Sequence, residues 1–329
     1  MIFISNYQWF FSVFALVNIF IFSQYIFLAR KTNIIDKSRK FNNPLTPTSG
    51  GIVIYLNFLF FFIFSIFYKE NLLINFPNNY IITFLSLTIL VVISLIDDSK
   101  PIDPKIRLFF QLICVYFSLT SIPITELHLP LKLSILFALI SWVYIINIIN
   151  FTDGADGFLS INIIFLFLNI IFLNYILDLN LFSKYISLAL LPSIFSFVLF
   201  NKPVAKLYLG DTGSVFLGFI SGFLFLEILI ASQLSIAISL LIYPITDFSI
   251  ALGRKIIKGK LPWADTSNYS FLQPIIRKNE NKKFIFYTNI IFNILNSLLI
   301  FLQLLWGWYY IFLNFLLTLI IINIYEKKN

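Results

Sequence analysis

Long apolar runs separated by short polar segments extend along the whole chain. Runs of about 17–20 apolar residues recur, and each is long enough to cross a bilayer as an α-helix. We predict eleven spans, or ten if the last two, which part only near Leu304–Gly307, count as one. The spans cover residues 7–29, 52–68, 80–96, 107–122, 131–149, 158–177, 185–200, 214–230, 234–252, 284–303 and 305–325. This pattern predicts an all-α, polytopic integral membrane protein with one transmembrane domain over residues 1–329.

The composition agrees with that fold class and excludes a soluble domain. Hydrophobic residues make up 59% of the 329 residues and charged residues 12%, with a mean hydropathy of +0.92. The single cysteine, Cys114, lies inside an apolar run, so the chain has no disulfide framework.

The basic residues predict the orientation of the spans. With the N-terminus outside, 20 of the 23 Lys and Arg residues fall in inner segments, and Lys69, Lys132 and Lys184 fall outside. No basic residue precedes Arg30, so the first span lacks the cationic region of a cleaved signal peptide and is predicted to be retained. The net charge of +8 therefore reflects topology and does not imply nucleic-acid binding.

The acids show the same bias, and the outer loops are nearly bare of them. Seven acids are placed at the inner ends of spans or in inner loops, namely Asp97, Asp98, Asp103, Asp153, Asp156, Asp211 and Asp265. We therefore predict a site on the cytoplasmic face.

Residues 150–158, Asn-Phe-Thr-Asp-Gly-Ala-Asp-Gly-Phe, are the most informative inner segment. If this segment opens a helix, the i,i+3 spacing puts Asp153 and Asp156 on one face. Two carboxylates beside glycines suit a divalent cation or a polar sugar ligand. The alternative is a polar turn between two membrane helices, where Asp and Gly are ordinary residues.

Two further inner segments carry acids. Asp97 and Asp98 end a span and are followed by Lys105, so the pair could hold a metal or supply a base, or could be a solvated helix end. Asp211 lies between two glycines at a predicted helix start, where it could bind Mg²⁺ while free amides face phosphate. Such a pattern is also common at ordinary helix starts.

A fourth inner segment, Thr46–Gly51, precedes the second span and is typical of a helix cap or of an anion site. Considered together, the four segments describe a site for Mg²⁺ and a diphosphate, because a diphosphate needs cations to offset charge during transfer. The membrane setting indicates that the acceptor is itself a lipid.

The ordered set of motifs resembles the polyprenyl-phosphate N-acetylhexosamine-1-phosphate transferases, a family that includes the phospho-N-acetylmuramoyl-pentapeptide transferases. The motifs are Thr-Pro-x-x-Gly-Gly, Asp97-Asp98, Asn-Phe-Thr-Asp-Gly-Ala-Asp-Gly and Leu-Gly-Asp-Thr-Gly-Ser, and the resemblance extends over residues 30–283. It implies transfer of a sugar 1-phosphate from a UDP-N-acetylhexosamine to undecaprenyl phosphate in a bacterial inner membrane, with Mg²⁺ or Mn²⁺ and release of UMP. Residues 243–254 are more similar to members that initiate O-antigen-like glycans, and the muramoyl-pentapeptide branch is the poorer match.

The resemblance also implies roles for individual residues. Asp97 and Asp98 match the acids that deprotonate or orient the lipid phosphate, and Asp211, with Asp97, would hold the metal. The expected substrate-binding residues are Gly50, Gly51, Lys105, Asn150, Asp153, Asp156, Arg254, Lys260 and Asn268.

The predicted inner loop at 253–283, which would complete the site, departs from the family pattern. Members carry histidines there, whereas this chain has Asp265 and Asn268 at the matching positions. Asn cannot carry a proton at neutral pH and Asp reverses the charge, so donor specificity and rate are in question.

Two alternatives stay open. A transporter would use intramembrane acids such as Glu227 and Asp247, and a weak paralogue or scaffold would explain the missing histidines. The donor sugar, the glycan pathway, a one-step or covalent two-step mechanism, and the oligomeric state, for which a homodimer is one alternative, do not follow from sequence.

Overall fold

The structure of the chain is a computed structural model. The structure describes residues 2–32, 46–67, 79–177, 182–231, 233–259, 261, 269–278 and 282–327.

These residues form α-helices joined by turns, with no β-strand in the described ranges. The first seven helices are α1 (Ile2–Lys31), α2 (Gly51–Phe67), α3 (Asn79–Ser99), α4 (Pro104–Ser118), α5 (Leu131–Thr152), α6 (Phe158–Leu177) and α7 (Phe182–Asn201). The remaining helices are α8 (Gly210–Ile230), α9 (Leu234–Leu240), α10 (Ile242–Ile257), α11 (Gln273–Lys278), α12 (Lys282–Trp306) and α13 (Tyr310–Glu326).

The helix lengths confirm a multi-pass, all-α membrane protein. Within the described ranges, seven helices are long and apolar enough to cross a bilayer, and the bent pair α9–α10 would make an eighth. Helices α2 and α13 are apolar but shorter. The predicted spans each coincide with a helix or with the bent pair, whereas the count of eleven stays a prediction.

One predicted span is not a single helix. Residues 234–252 were expected to cross as one unit, but the chain bends by 73° between α9 and α10. Pro244 is the third residue of α10, and because it has no N–H it cannot donate to the carbonyl of Leu240 and so continue α9. Helix α10 then continues to Ile257, so residues 253–257 of the expected inner loop are helical.

Helix α8 lies at the centre of the bundle, and most of its residues are buried. It packs closely against α5: the indole of Trp142 donates to the carbonyl of Phe219 at 2.8 Å, and the two rings lie 4.8 Å apart. A buried hydrogen bond between tightly packed helices fixes their relative position in an apolar environment. The N-terminus of α8, where Asp211 lies, is therefore held on a rigid element.

The four sequence motifs meet at one end of the bundle, which we call the acidic end. The C-terminal ends of α3 and α5 meet the first turn of α8 there, where the N–H of Asp211 donates to Asp98 and the hydroxyl of Ser214 donates to Asn150. The opposite end carries Glu227, whose carboxylate accepts from the amides that open α7.

Candidate active site

The carboxylate of Asp98 caps the first turn of α8 from a neighbouring helix. It accepts the backbone N–H of Asp211 at 2.7 Å and of Thr212 at 3.3 Å. It also accepts the hydroxyls of Thr212 at 2.6 Å and Ser49 at 2.8 Å. Free amides at a helix start need such acceptors, and the positive end of the helix dipole favours a carboxylate there. This geometry gives Asp98 a positioning role, and its expected role as a base stays a prediction.

Arg107 joins the other two acids of the cluster. One of its guanidinium nitrogens, Nη1, lies 2.5 Å from Oδ2 of Asp97 and 2.9 Å from Oδ2 of Asp211. Asp97 also accepts the N–H of Ile102 at 2.6 Å. The Asp97 side chain is 7% exposed and that of Asp211 is 37% exposed, so Asp211 is the acid that an incoming ligand reaches more easily.

The two glycines at the start of α2, Gly50 and Gly51, allow close packing against the same first turn. The N–H groups of Gly50 and Gly51 donate to the carbonyls of Tyr208 and Leu209 at 3.0 and 2.9 Å. A Cβ on Gly51 would lie 2.0 Å from the backbone Cα of Gly213. The structure thus accounts for these glycines by helix contact, and their expected substrate-binding role stays a prediction.

Replacing Gly51 by alanine should push α2 away from α8, because the added methyl meets backbone that cannot rotate aside. We expect a loss of about 1–3 kcal/mol in the free energy of unfolding or more, seen as a lower thermal midpoint in detergent. Gly253→Ala is the matched control, since nothing lies within 4 Å of its Cβ position and alanine is favoured in a helix. Equal midpoints for the two variants would contradict the packing role.

The segment at 150–158 does not open a helix, which corrects the expectation that its two acids share a helical face. Residues 153–157 form turns between α5 and α6, and Gly157 has φ +72, which favours glycine. Asp153 instead follows the last residue of α5, with its N–H donating to the carbonyl of Asn150 at 3.2 Å.

Two polar side chains of this segment have partners on different elements: Asn150 is half-buried and Asp156 is buried. Asn150 accepts the hydroxyl of Ser214 on α8 at 2.8 Å. Asp156 accepts the N–H of Ala205 and the ammonium of Lys282, both at 3.1 Å, through its Oδ2 atom. Its other oxygen, Oδ1, is buried without a hydrogen-bond partner among the described residues. A buried carboxylate oxygen without a donor is a candidate acceptor for a ligand N–H or O–H.

A buried lysine lies beside this segment. The ammonium of Lys255 stands 5.3 Å from the ring centre of Tyr269 and 5.9 Å from that of Phe151, in cation–π range. The carboxylate of Asp247 accepts the N–H of Ser270 at 3.0 Å and so fixes the chain next to Tyr269. Burial raises the pKa of the Tyr269 phenol above its ordinary range, so this hydroxyl stays protonated.

The other predicted ligand-binding residues are spread more widely. Lys105 is exposed, and its backbone N–H donates to the Asp103 side chain that caps α4. Arg254 forms a paired bond with Glu326 at 2.5 and 2.9 Å, at the end of α13. Lys260 and Asn268 lie outside the described residues, as does Asp265.

Two basic side chains that pair with acids of this site, Arg107 and Lys282, were not predicted from the sequence as site residues. Arg107 follows the acid pair closely in sequence, but it was not among the predicted site residues. Lys282 begins α12, far along the chain from Asp156, and no spacing in the sequence connects the two.

The acids at the start of α8 fit a divalent cation through their donor chemistry. Mg²⁺ in proteins takes one or two carboxylates and completes its shell with water and substrate phosphates. Asp97 and Asp211 direct one oxygen each at a common cationic atom, Nη1 of Arg107. Among the described residues, no group of three or more His, Cys, Asp or Glu side chains could hold a metal. Two carboxylates at this distance from one cation suit a metal that also takes water and substrate phosphates as ligands.

Comparison with known proteins decides the family. The sequence profile of glycosyl transferase family 4 matches residues 80–229, which include Asp97, Asp98 and Asp211. A phospho-N-acetylmuramoyl-pentapeptide-transferase of Buchnera aphidicola subsp. Baizongia pistaciae is 30% identical over 259 residues, or 63% of this chain and 73% of that protein. The chain belongs to glycosyl transferase family 4. The resemblance inferred from the motifs is confirmed.

Relatives from both branches of glycosyl transferase family 4 match at similar levels. An undecaprenyl-phosphate alpha-N-acetylglucosaminyl 1-phosphate transferase of Thermotoga maritima is 27% identical over 266 residues, or 78% of each chain. A phospho-N-acetylmuramoyl-pentapeptide-transferase of Aliarcobacter butzleri is 28% identical over 216 residues, or 54% of this chain and 59% of that protein. The chain thus spans less than two thirds of the Aliarcobacter relative, and these identities do not separate the two branches.

Proposed function

We propose that this protein transfers an N-acetylhexosamine 1-phosphate from a UDP-sugar to a polyprenyl phosphate, with undecaprenyl phosphate as the acceptor. An oxygen of the lipid phosphate bonds to the sugar-bearing phosphorus of the donor, the diphosphate bond breaks, and UMP leaves. The products are a polyprenyl-diphospho-sugar and UMP. As a further part of the proposal, the product starts an O-antigen-like surface glycan.

One observation carries the proposal: acids from two distant helix ends meet at the first turn of α8. Asp97 and Asp211 share Arg107, and Asp98 fixes the amides of that turn. A cluster of acids with a basic residue, at the end of a membrane bundle, suits a charged diphosphate that must meet a lipid-borne phosphate. The names of the relatives in both branches support the same class of reaction.

Mg²⁺ is the cofactor we propose, held by Asp211 with Asp97. When bound, it would neutralise charge on the diphosphate oxygens during transfer. Asp98 would keep the first turn of α8 and therefore Asp211 in place, since it bonds to the backbone of that residue. Arg107 would offset the negative charge that the two acids and the phosphates bring together.

The donor is proposed to lie toward residues 150–158 and the 253–283 region. Asn150, Asp153 and Asp156, with Lys105, Arg254, Lys260 and Asn268, are the candidate contacts. Arg254 would have to leave its bond to Glu326 before it could bind the donor diphosphate, because both guanidinium nitrogens of that bond are engaged. The unpaired oxygen of buried Asp156 is a candidate acceptor for the donor.

Transport is the alternative from another class, and the contacts of the two candidate acids do not favour it. Glu227 accepts two backbone amides at 2.9 and 2.7 Å, and Asp247 accepts one at 3.0 Å. Both carboxylates therefore have structural partners that anchor helix starts or loops.

The decisive assay uses purified protein with Mg²⁺, undecaprenyl phosphate and a panel of UDP-sugars, scored for UMP and for lipid product. The panel should include UDP-N-acetylglucosamine, UDP-N-acetylgalactosamine and UDP-N-acetylmuramoyl-pentapeptide, which separates the two branches. UMP release that requires the lipid supports the proposal. No lipid product with any donor would refute it and favour a scaffold.

The orientation follows from the basic-residue bias and predicts a cytoplasmic acidic end. In a Cys114→Ser background, cysteine at exposed Ser99 should react with an impermeant reagent only after the membrane is opened. Cysteine at exposed Leu129, in the turn before α5 at the opposite end, should react in intact cells. Labelling of the Ser99 variant from outside would reverse the orientation and the side of the site.

A further inference from the structure

Helix α12 carries a buried row of amide side chains along one face. The row consists of Asn289, Asn293, Asn296 and Gln303, each at most 7% exposed. Their spacing of three, four and seven residues keeps them on one side of the helix. Buried amides in a membrane bundle are costly without partners, so their bonds define what this face holds.

The row holds α9 just before the bend. Asn296 donates to the carbonyl of Ser239 at 3.1 Å, and the hydroxyl of Ser239 donates to Gln303 at 3.0 Å. Ser239 lies two residues before Leu241, where the chain turns by 73° into α10. Asn293 meanwhile donates to Asn162 on α6 at 2.8 Å.

A small cavity lies where these groups meet the bend. It is lined by Asn162, Asn293 and Asn296 on one side, and by Leu240, Leu241, Tyr243 and Pro244 of the bend on the other. The space is about 10 Å³ for the centre of a water-sized sphere, which is the room that one water molecule needs.

Two residues that line this cavity each carry a buried polar atom without a partner in the described residues, and the two atoms are of opposite kind. They are the Oδ1 acceptor of Asn296, whose residue is 4% exposed, and the Nδ2 donor of Asn162. A third group is available because Pro244 has no N–H, so the carbonyl of Leu240 lacks its usual helical donor. A water site needs two to four polar partners, and the cavity offers that number.

We propose that one ordered water molecule binds in this cavity and ties α6 and α12 to the bend between α9 and α10. It donates to Oδ1 of Asn296 and to the carbonyl of Leu240, and it accepts from Nδ2 of Asn162. All three groups are then satisfied in an apolar environment where leaving them unpaired is costly.

Helix α10 connects the bend to the acidic end of the bundle. Helix α10 carries Asp247, which holds the N–H of Ser270, and Tyr243, whose hydroxyl pairs with that of Ser270 at 3.0 Å. The following residue, Phe271, and Leu272 lie against Gly154 in the 150–158 segment. A hydrated bend therefore fixes the direction of the helix that positions this segment.

The test combines a density map with hydrogen–deuterium exchange in lipid nanodiscs. In the wild-type protein, a map that resolves other buried waters should show one in this cavity. Asn162→Leu should remove it and speed exchange of the backbone amides at 241–246 roughly tenfold. The side-chain oxygen of Asn162 accepts from Asn293 of α12, which is not part of the bend. In the proposal, the contact between Asn162 and the bend is therefore made through the water.

Asn169→Leu is the matched control, because Asn169 also lies on α6 and bonds to α12, at Ser297, away from the cavity. It should leave exchange at 241–246 unchanged. A map that resolves buried waters elsewhere but none here would overturn the proposal, whether or not the variants fold. So would an Asn162→Leu protein whose bend exchanges as slowly as that of Asn169→Leu.

Discussion

Replacing Asp211 by asparagine should remove nearly all divalent-cation-dependent turnover and leave the helical bundle folded. The side chain loses its charge, so the proposed Mg²⁺ site keeps one carboxylate, Asp97, in place of two. The backbone N–H of residue 211 still donates to Asp98, which preserves the first turn of α8. We expect turnover to fall about 100-fold or more, which corresponds to about 2.7 kcal/mol of transition-state stabilisation.

The measurement is UMP release against Mg²⁺ concentration, with Mn²⁺ binding followed by electron paramagnetic resonance. Asp103→Asn is the matched control, since Asp103 is an exposed acid that caps α4 through the Lys105 amide. It should lose some stability and retain turnover within a few-fold. Normal turnover of the Asp211 variant at limiting Mg²⁺ would exclude Asp211 as the metal ligand.

Much of the fold was accessible from the sequence because apolar run length directly reports bilayer crossing. The all-α membrane class was confirmed, and the helix start at Asp211 was anticipated from its flanking glycines. The bend at Leu241 has a local signal in the sequence, since Pro244 lacks the N–H that would continue α9 into α10. Residues 153–157 form turns and do not start a helix, and the ligand-binding role of Asp153 and Asp156 stays a prediction.

The contacts of the site were less accessible, because they join residues far apart in sequence. Asp98 bonds to Asp211, 113 positions later, and this pairing follows from how α3 packs against α8. The sequence gives each acid a plausible role but does not say which one faces a backbone amide and which faces a guanidinium. Asp97 and Asp98 were both expected to act on the lipid phosphate, although the two have different partners in the structure.

Replacing Arg107 by glutamine should tighten divalent-cation binding in the absence of donor and slow the transfer reaction. The guanidinium lies between Asp97 and Asp211, so it repels any cation that shares their oxygens. For a divalent ion about 6 Å from a unit charge in a water-like dielectric, the repulsion is about 1.4 kcal/mol, or tenfold in the dissociation constant. Turnover should nevertheless fall, because the variant lacks the positive charge that would stabilise the diphosphate oxygens during transfer.

Mn²⁺ affinity and turnover measured on the same samples check both parts. Lys105→Gln removes one positive charge two residues away on an exposed side chain, and it should change Mn²⁺ affinity much less. Arg107→Lys keeps the charge but lacks the planar fork, so we expect wild-type Mn²⁺ affinity with reduced turnover. If Arg107→Gln binds Mn²⁺ no more tightly than Lys105→Gln does, the guanidinium does not compete for the oxygens of Asp97 and Asp211, and its contact with them serves the fold alone.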